Sequence, residues 1–500
     1  MRRAITVLPG LALAASMLSA PVAASVPARL EVPAITWGTC EEQLIGFECA
    51  KVAVPLDYDR PQESTIALAL VRKPATDTEH RIGSLFVNPG GPGGSAVDFV
   101  FSHGDVLSTD LSGRFDIVGF DPRGIARSTR LSCFATDSEA KEFFTAPAAR
   151  VPYTPAEERA YVTHFRQLGP KCLRQPIAQH MSTADVARDM DLLRRAVGDP
   201  KLNYLGFSYG SFIGHTYAAM FPDTVRVLAI DGAVDPALWT TGWQIADNRV
   251  STGKELDELL RLCDEAGPRC AFHKAEQSAK ARWERLADQI KATPATPGPT
   301  TVDYRMLVNI AGAAMYSPAM WPEFTRFLND LATAKPDAEL PLWAVPTEDP
   351  IADQTFYGTT CADTDVPLTT KEYSATSKWA EAGSRFGRYW WWTTAGCSFW
   401  PPNKDRFTGP WHTKASALVV GNKFDGITGY SGAQASARNI EGSRLLTYAG
   451  WGHTAYFRDD CSRTYIDAYL ISRALPPQGT VCPAGPNPFL EDKATDQAAS

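Results

Sequence analysis

Leu202-Asn203-Tyr204-Leu205-Gly206-Phe207-Ser208-Tyr209-Gly210-Ser211 is the stretch on which the fold turns. An apolar run ends in Gly-x-Ser-x-Gly, and Ser211–Met220 behind it reads as a helix. A strand, a strained turn and a helix in that order lift a serine into a cleft, and the glycines leave room for the turn. Three fixed residues arise by chance roughly a few tenths of a time in a chain of this length. The flanking pattern carries the reading against a serine in an ordinary tight turn.

Working outward, short apolar runs recur at Ala50–Leu56, Ile66–Val71, Gly83–Asn88, Phe115–Phe120, Leu202–Gly206 and Val225–Asp231, then at Ser416–Gly421 and Arg444–Tyr448. Each is rich in β-branched or large apolar residues and stops at or near Gly, Asp, Asn or Pro, as buried strands do. Thr183–Val197 repeats apolar residues at helical spacing (Val186, Met190, Leu193, Val197) behind Thr183 and Asp185. Strands alternating with helices predict a mostly parallel sheet with helices on both faces. The strand pattern lapses over 236–412 and then resumes. This predicts a large, mainly helical insertion lying over the strand C-termini, where such sheets hold their sites. The expected organisation is a core in two parts, 25–235 and 413–483, the insertion at 236–412, and a Pro-rich, then polar tail at 484–500.

The 500 residues, 44% hydrophobic with a formal charge of −7, exclude whole-chain disorder and the basic footprint of a nucleic-acid coat. Arg2 and Arg3, the apolar stretch after them and Val22-Ala23-Ala24 read as a signal peptide over 1–24. A membrane anchor is the alternative, but Pro9 and Pro21 shorten the apolar stretch below a full span. The expectation is an extracellular protein with no membrane attachment after cleavage. Ten cysteines suit an oxidising compartment. They allow about 945 complete pairings. Sequential pairing (Cys40/Cys49, Cys133/Cys172, Cys263/Cys270, Cys361/Cys397, Cys461/Cys482) is expected because each closes a local loop. No Cys-x-x-Cys or clustered His gives zinc spacing, so no metal is expected.

A serine needs a base, and the base an orienting acid. The sheet topology predicts the chain order serine, acid, histidine. Of the eight histidines only His273, His412 and His453 follow Ser208, and only His453 closely follows a late strand, at Gly452-His453. Asp425 ends Val419-Val420-Gly421-Asn422-Lys423-Phe424-Asp425, while Asp231 is its competitor. The oxyanion requires two fixed N–H donors. Tyr209, after the serine, supplies one. Gly91, in Asn88-Pro89-Gly90-Gly91-Pro92-Gly93-Gly94-Ser95, supplies the other, since Pro92 has no N–H. A phosphate-binding loop is the alternative there, but the Gly-Lys-Ser/Thr ending is missing. Tyr389–Trp392 suits insertion core better than a substrate pocket.

Gly90-Gly91-Pro92-Gly93, Asp121-Pro122-Arg123-Gly124, Gly206–Gly210, the Asp425 loop and Gly452-His453 together resemble the secreted α/β-hydrolase peptidases. The actinobacterial tripeptidyl aminopeptidases, relatives of the prolyl aminopeptidases, are the branch they look most like. Cys361-Ala362-Asp363 and Cys397 with Trp400-Pro401 are similar to that branch's lid. The resemblance implies an α/β-hydrolase fold and a cofactor-free serine peptidase. Such an enzyme releases short peptides, here expected to be tripeptides, from substrates with a free N-terminus. It also makes Asp363 a candidate holder of the substrate ammonium. The family's Asp-Pro-x-Thr-Pro is replaced by Asp425-Gly426-Ile427-Thr428-Gly429, so both prolines are absent and a looser loop is expected. A secreted esterase or lipase with the same triad, and a non-catalytic protein keeping the fold, are the rival readings.

Overall fold

Ten strands build one sheet: β1 Gly38–Thr39, β2 Glu48–Pro55, β3 Thr65–Lys73, β4 Gly83–Asn88, β5 Phe115–Phe120, β6 Leu202–Phe207, β7 Val225–Asp231, β8 Leu418–Phe424, β9 Arg444–Trp451 and β10 Val481–Cys482. Their order is β1-β2-β3-β5-β4-β6-β7-β8-β9-β10. From β5 to β10 every pairing is parallel, and β1 to β3 form an antiparallel flank. β4, β5 and β6 are buried along their whole length, as strands covered on both faces are. The structure is a computed structural model describing residues 30–490 except 42–43, 297–299, 336–338, 345–349, 367–368, 402 and 404. The expected signal segment 1–24 and the tail residues 491–500 lie outside the described residues.

Register places the site. Asn88 of β4 lies opposite Gly206 of β6, and Phe207 lies opposite Asp231 of β7. Asp231 faces Val420 of β8, and Phe424 faces Trp451 of β9. The segments after β4, β6, β8 and β9 therefore leave the sheet at one edge, the carboxyl edge, beside the point where strand order reverses between β4 and β6. Those segments carry Gly91, Ser208, Asp425 and His453.

Between β7 and β8 the elements are helices, including Pro236–Thr240, Trp243–Ala266, Ala279–Ala292, Tyr304–Ala314, Trp321–Ala332, Pro350–Asp363, Thr370–Gly383 and Gly387–Trp392. Trp390, Trp391 and Trp392 are buried within this layer. A second segment joins it: Pro155–Phe165 binds the insertion through Tyr161 to the Trp392 carbonyl at 2.8 Å and Glu158 to Arg388 at 2.8 Å. Pro155–Phe165, inside 25–235, thus packs on the insertion. The cysteines pair sequentially, as Cys40–Cys49, Cys133–Cys172, Cys263–Cys270, Cys361–Cys397 and Cys461–Cys482. Among the described residues no helix is long and apolar enough to cross a membrane.

Candidate active site

Ser208 follows β6 at φ 55°, ψ −125° and caps the helix Tyr209–Met220. A non-glycine residue there is strained, and the surroundings must hold it. They do so through Ser208 N–H, which donates to the Asp231 carbonyl at 2.8 Å. Gly206 is required by contact: a Cβ on it would lie 2.5 Å from the Gly210 carbonyl oxygen. Gly90 approaches from the other side, where a Cβ would lie 2.8 Å from the Ser208 Cβ and 3.0 Å from the Tyr209 nitrogen. The glycine loop and the serine turn are therefore in van der Waals contact. The N–H groups of Gly91 and Tyr209 have no acceptor among the described residues. Asp121 steadies this loop, accepting from Ser95 Oγ at 2.7 Å and from the Val97 amide at 3.1 Å. Arg123 of the same motif is buried on Asp189 at 2.7 and 2.8 Å and acts within the core.

Asp425 and His453 are in direct contact. Nδ1 of His453 lies 2.9 Å from Asp425 Oδ2 and 3.1 Å from Oδ1. Burial alone would raise the Asp425 carboxyl. The His453 ring and the Ile427 and Thr428 amides outweigh it and hold the group below its usual range. With Asp425 ionised, Nδ1 carries the ring proton and donates it, so Nε2 presents a lone pair. Nε2 is buried without a hydrogen-bond partner among the described residues. No Ser208–His453 hydrogen bond is made. The two residues flank the same short segment: Ser208 binds Asp231, and a Cβ on the following Gly232 would lie 3.1 Å from His453 Cε1. Asp231, the competing acid, turns its carboxylate to the Ala455 and Tyr456 amides at 2.8 and 2.9 Å instead.

Asp363 is buried, and its two oxygens accept from the Thr183 N–H at 2.8 Å and Oγ at 2.6 Å. Thr183 Oγ also contacts the Tyr209 hydroxyl. No cation pairs with Asp363 among the described residues, and burial pushes its carboxyl up to about 7 against those two donors. His412 is exposed, and His273 pairs with Asp264 at 3.3 Å away from the dyad. Asp459, Cys461 and Cys482 are compact enough to suggest a metal, but both sulfurs belong to one disulfide.

Two family models match the chain, an α/β-hydrolase fold over residues 83–257 and a TAP-like protein over 382–482. Serine protease Hip1 of Mycobacterium tuberculosis is 31% identical over 467 residues, covering 87% of each chain. The chain belongs to the TAP-like α/β-hydrolases. Tripeptidyl aminopeptidase of Streptomyces lividans is 28% identical, covering 92% of this chain and 88% of that one. Carboxylesterase B of Mycobacterium tuberculosis is 31% identical, covering 95% of each.

In this TAP-like hydrolase, several residues at the site escaped sequence reasoning. Thr428 donates its hydroxyl to Asp425 Oδ2 at 3.0 Å and lies 3.2 Å from His453 Nδ1. Asn422 Nδ2 donates to the carbonyls of Gly452 and Thr454 at 2.8 Å each. Tyr316, from the insertion, accepts the His453 N–H at 3.0 Å and sets its ring edge-on to the imidazole at 5.7 Å. Glu255 accepts from the Gly426 and Gly452 amides. The loop expected to be loose is held by these bonds in place of the missing prolines. Two of them left a trace in sequence: Thr428 keeps the threonine of the family's acid-loop motif, and Glu255 is a charged residue on the buried face of its helix, with Thr252, Leu256, Leu259 and Cys263.

Proposed function

We propose that this TAP-like hydrolase is a secreted serine aminopeptidase releasing short peptides, tripeptides above all, from free N-termini. The observation that carries this reading is the buried Asp425–His453 pair, with its free Nε2, beside the strained Ser208 turn. Ser208 Oγ attacks the scissile carbonyl carbon while His453 Nε2 takes the hydroxyl proton. Asp425 orients the ring and stabilises its cation. The carbonyl oxygen, now anionic, receives the Gly91 and Tyr209 N–H groups. The C–N bond breaks as His453 passes its proton to the leaving amine, giving an acyl-Ser208. Water, deprotonated by His453, then attacks the ester and returns Ser208.

Asp363, buried without a countercharge, is the candidate partner for a substrate ammonium. The tripeptidyl aminopeptidase among its relatives supports the peptide class. Five disulfides support export. A second reading, an esterase with the same machinery, is favoured by the likeness to carboxylesterase B over nearly the whole chain. A panel of peptide anilides with free or acetylated N-termini, varied in length and run beside aryl esters, separates the two. Preference for free tripeptides supports the aminopeptidase. Equal cleavage of blocked and free peptides, or turnover of esters alone, overturns it.

A further inference from the structure

Glu255 lies on the insertion helix Trp243–Ala266 and is wholly buried. Its Oε2 accepts from the Gly426 N–H at 2.7 Å and its Oε1 from the Gly452 N–H at 2.8 Å. Those two amides belong to the residue after Asp425 and the residue before His453. One planar carboxylate, whose oxygens have a fixed separation, therefore bridges the loops that carry the acid and the base. One turn earlier, Thr252 Oγ donates to the Gly426 carbonyl at 2.6 Å and accepts from Trp390 Nε1 at 2.7 Å. The fit is close, since a Cβ on Gly426 would collide with Glu255 Oε2.

Burial, and next the nearby Asp425 charge, push the Glu255 carboxyl well above its usual range, against the Gly452 and Gly426 amides and the charge of Arg458. The two amide donors come from segments far apart in sequence. Each oxygen is taken by a backbone amide. What the arrangement fixes is the offset between the two loops, and with it the 2.9 Å contact between Asp425 and His453.

We propose that Glu255 is a positioning residue of the reaction: from the insertion, it sets the geometry of the Asp425–His453 pair. This rests on the serine mechanism above. Glutamine at 255 has the same size, but its NH2 would face one of the two amide donors. One loop then loses its acceptor and shifts. A displacement of about 1 Å at a catalytic pair costs on the order of a hundredfold in rate.

The test uses the full chain, a free-N-terminal tripeptide anilide, and active sites counted by fluorophosphonate titration, so that unfolded protein drops out. Glu255→Gln should lower kcat per titrated site about tenfold to a hundredfold with KM within about twofold. Glu255→Asp, which keeps the carboxyl on a shorter stem, is run beside it so that the result does not depend on one variant folding. It should fall between parent and glutamine. Glu258→Gln, one turn on and bonded to Trp451 Nε1 at 3.3 Å, is the comparator for general disturbance and should stay near parent. Parental kcat per site in either Glu255 variant, or an equal loss in Glu258→Gln, overturns the proposal. Activity surviving in Ser208→Ala would instead overturn the serine mechanism, so the two failures are distinct.

Discussion

Asp425→Asn keeps the shape of the side chain and removes its charge, and the structure fixes which way the amide must face. Oδ1 accepts from the Ile427 and Thr428 amides at 2.9 and 2.8 Å, and these two donors leave the asparagine carbonyl no other position. The NH2 then takes the place of Oδ2, 2.9 Å from His453 Nδ1. Two donors cannot share that contact, so the imidazole proton moves to Nε2. The ring can no longer accept the Ser208 proton, and the cation it would form has lost its counter-ion. The same substitution in another serine peptidase supplies the scale: kcat/KM should fall about 10⁴-fold, or roughly 5.5 kcal/mol of transition-state stabilisation. The assay is kcat/KM on the peptide anilide, together with the rate of fluorophosphonate labelling, which needs the same base. Both should fall together while thermal stability changes little by comparison. Activity within tenfold of parent would show that Asp425 does not orient the base.

Gly206→Ala places its methyl against the Gly210 carbonyl. It should destabilise the protein by about 1–3 kcal/mol, seen as a lowered Tm, and activity should drop as the serine turn shifts. Asp363→Asn tests both the buried charge and the ammonium reading. Burial raises the Asp363 carboxyl to about 7, above its unfolded value of about 3.9, so the folded protein holds an extra proton between those values. Parent stability therefore declines as pH rises through that window, and the asparagine variant should melt higher than parent at pH 8 and lose the advantage toward pH 4. If Asp363 also meets the substrate ammonium, KM for free peptides should rise in this variant while ester turnover holds.

The sheet was legible where apolar runs are buried on both faces. Gly83–Asn88, Phe115–Phe120 and Val225–Asp231 form strands over the residues expected. The last strands were less legible. β8 runs Leu418–Phe424 rather than from Ser416 to Gly421, because Asn422 and Lys423 interrupt the apolar run while the ladder to β9 continues. The segment 137–165 reads as core in sequence order, yet its contacts with the insertion depend on pairs such as Tyr161 with Trp392, 231 residues apart. Ser208, His453 and Asp425 could be nominated because a strand end, a loop and a reactive side chain coincide locally. Asp231, Glu255 and Asn422 could not be given their parts, because each acts through a distant backbone: Glu255 reaches Gly452 across 197 positions and Asp231 reaches Ala455 across 224.

The central claim is that the Ser208 hydroxyl is activated by the His453–Asp425 pair. Phosphonylation of the full chain, followed by mass-spectrometric mapping in parent and in His453→Ala, tests it most directly. The account predicts a single adduct on Ser208 in the parent and its near-complete loss in the variant. An adduct on another residue, or parental labelling of Ser208 without His453, would contradict it.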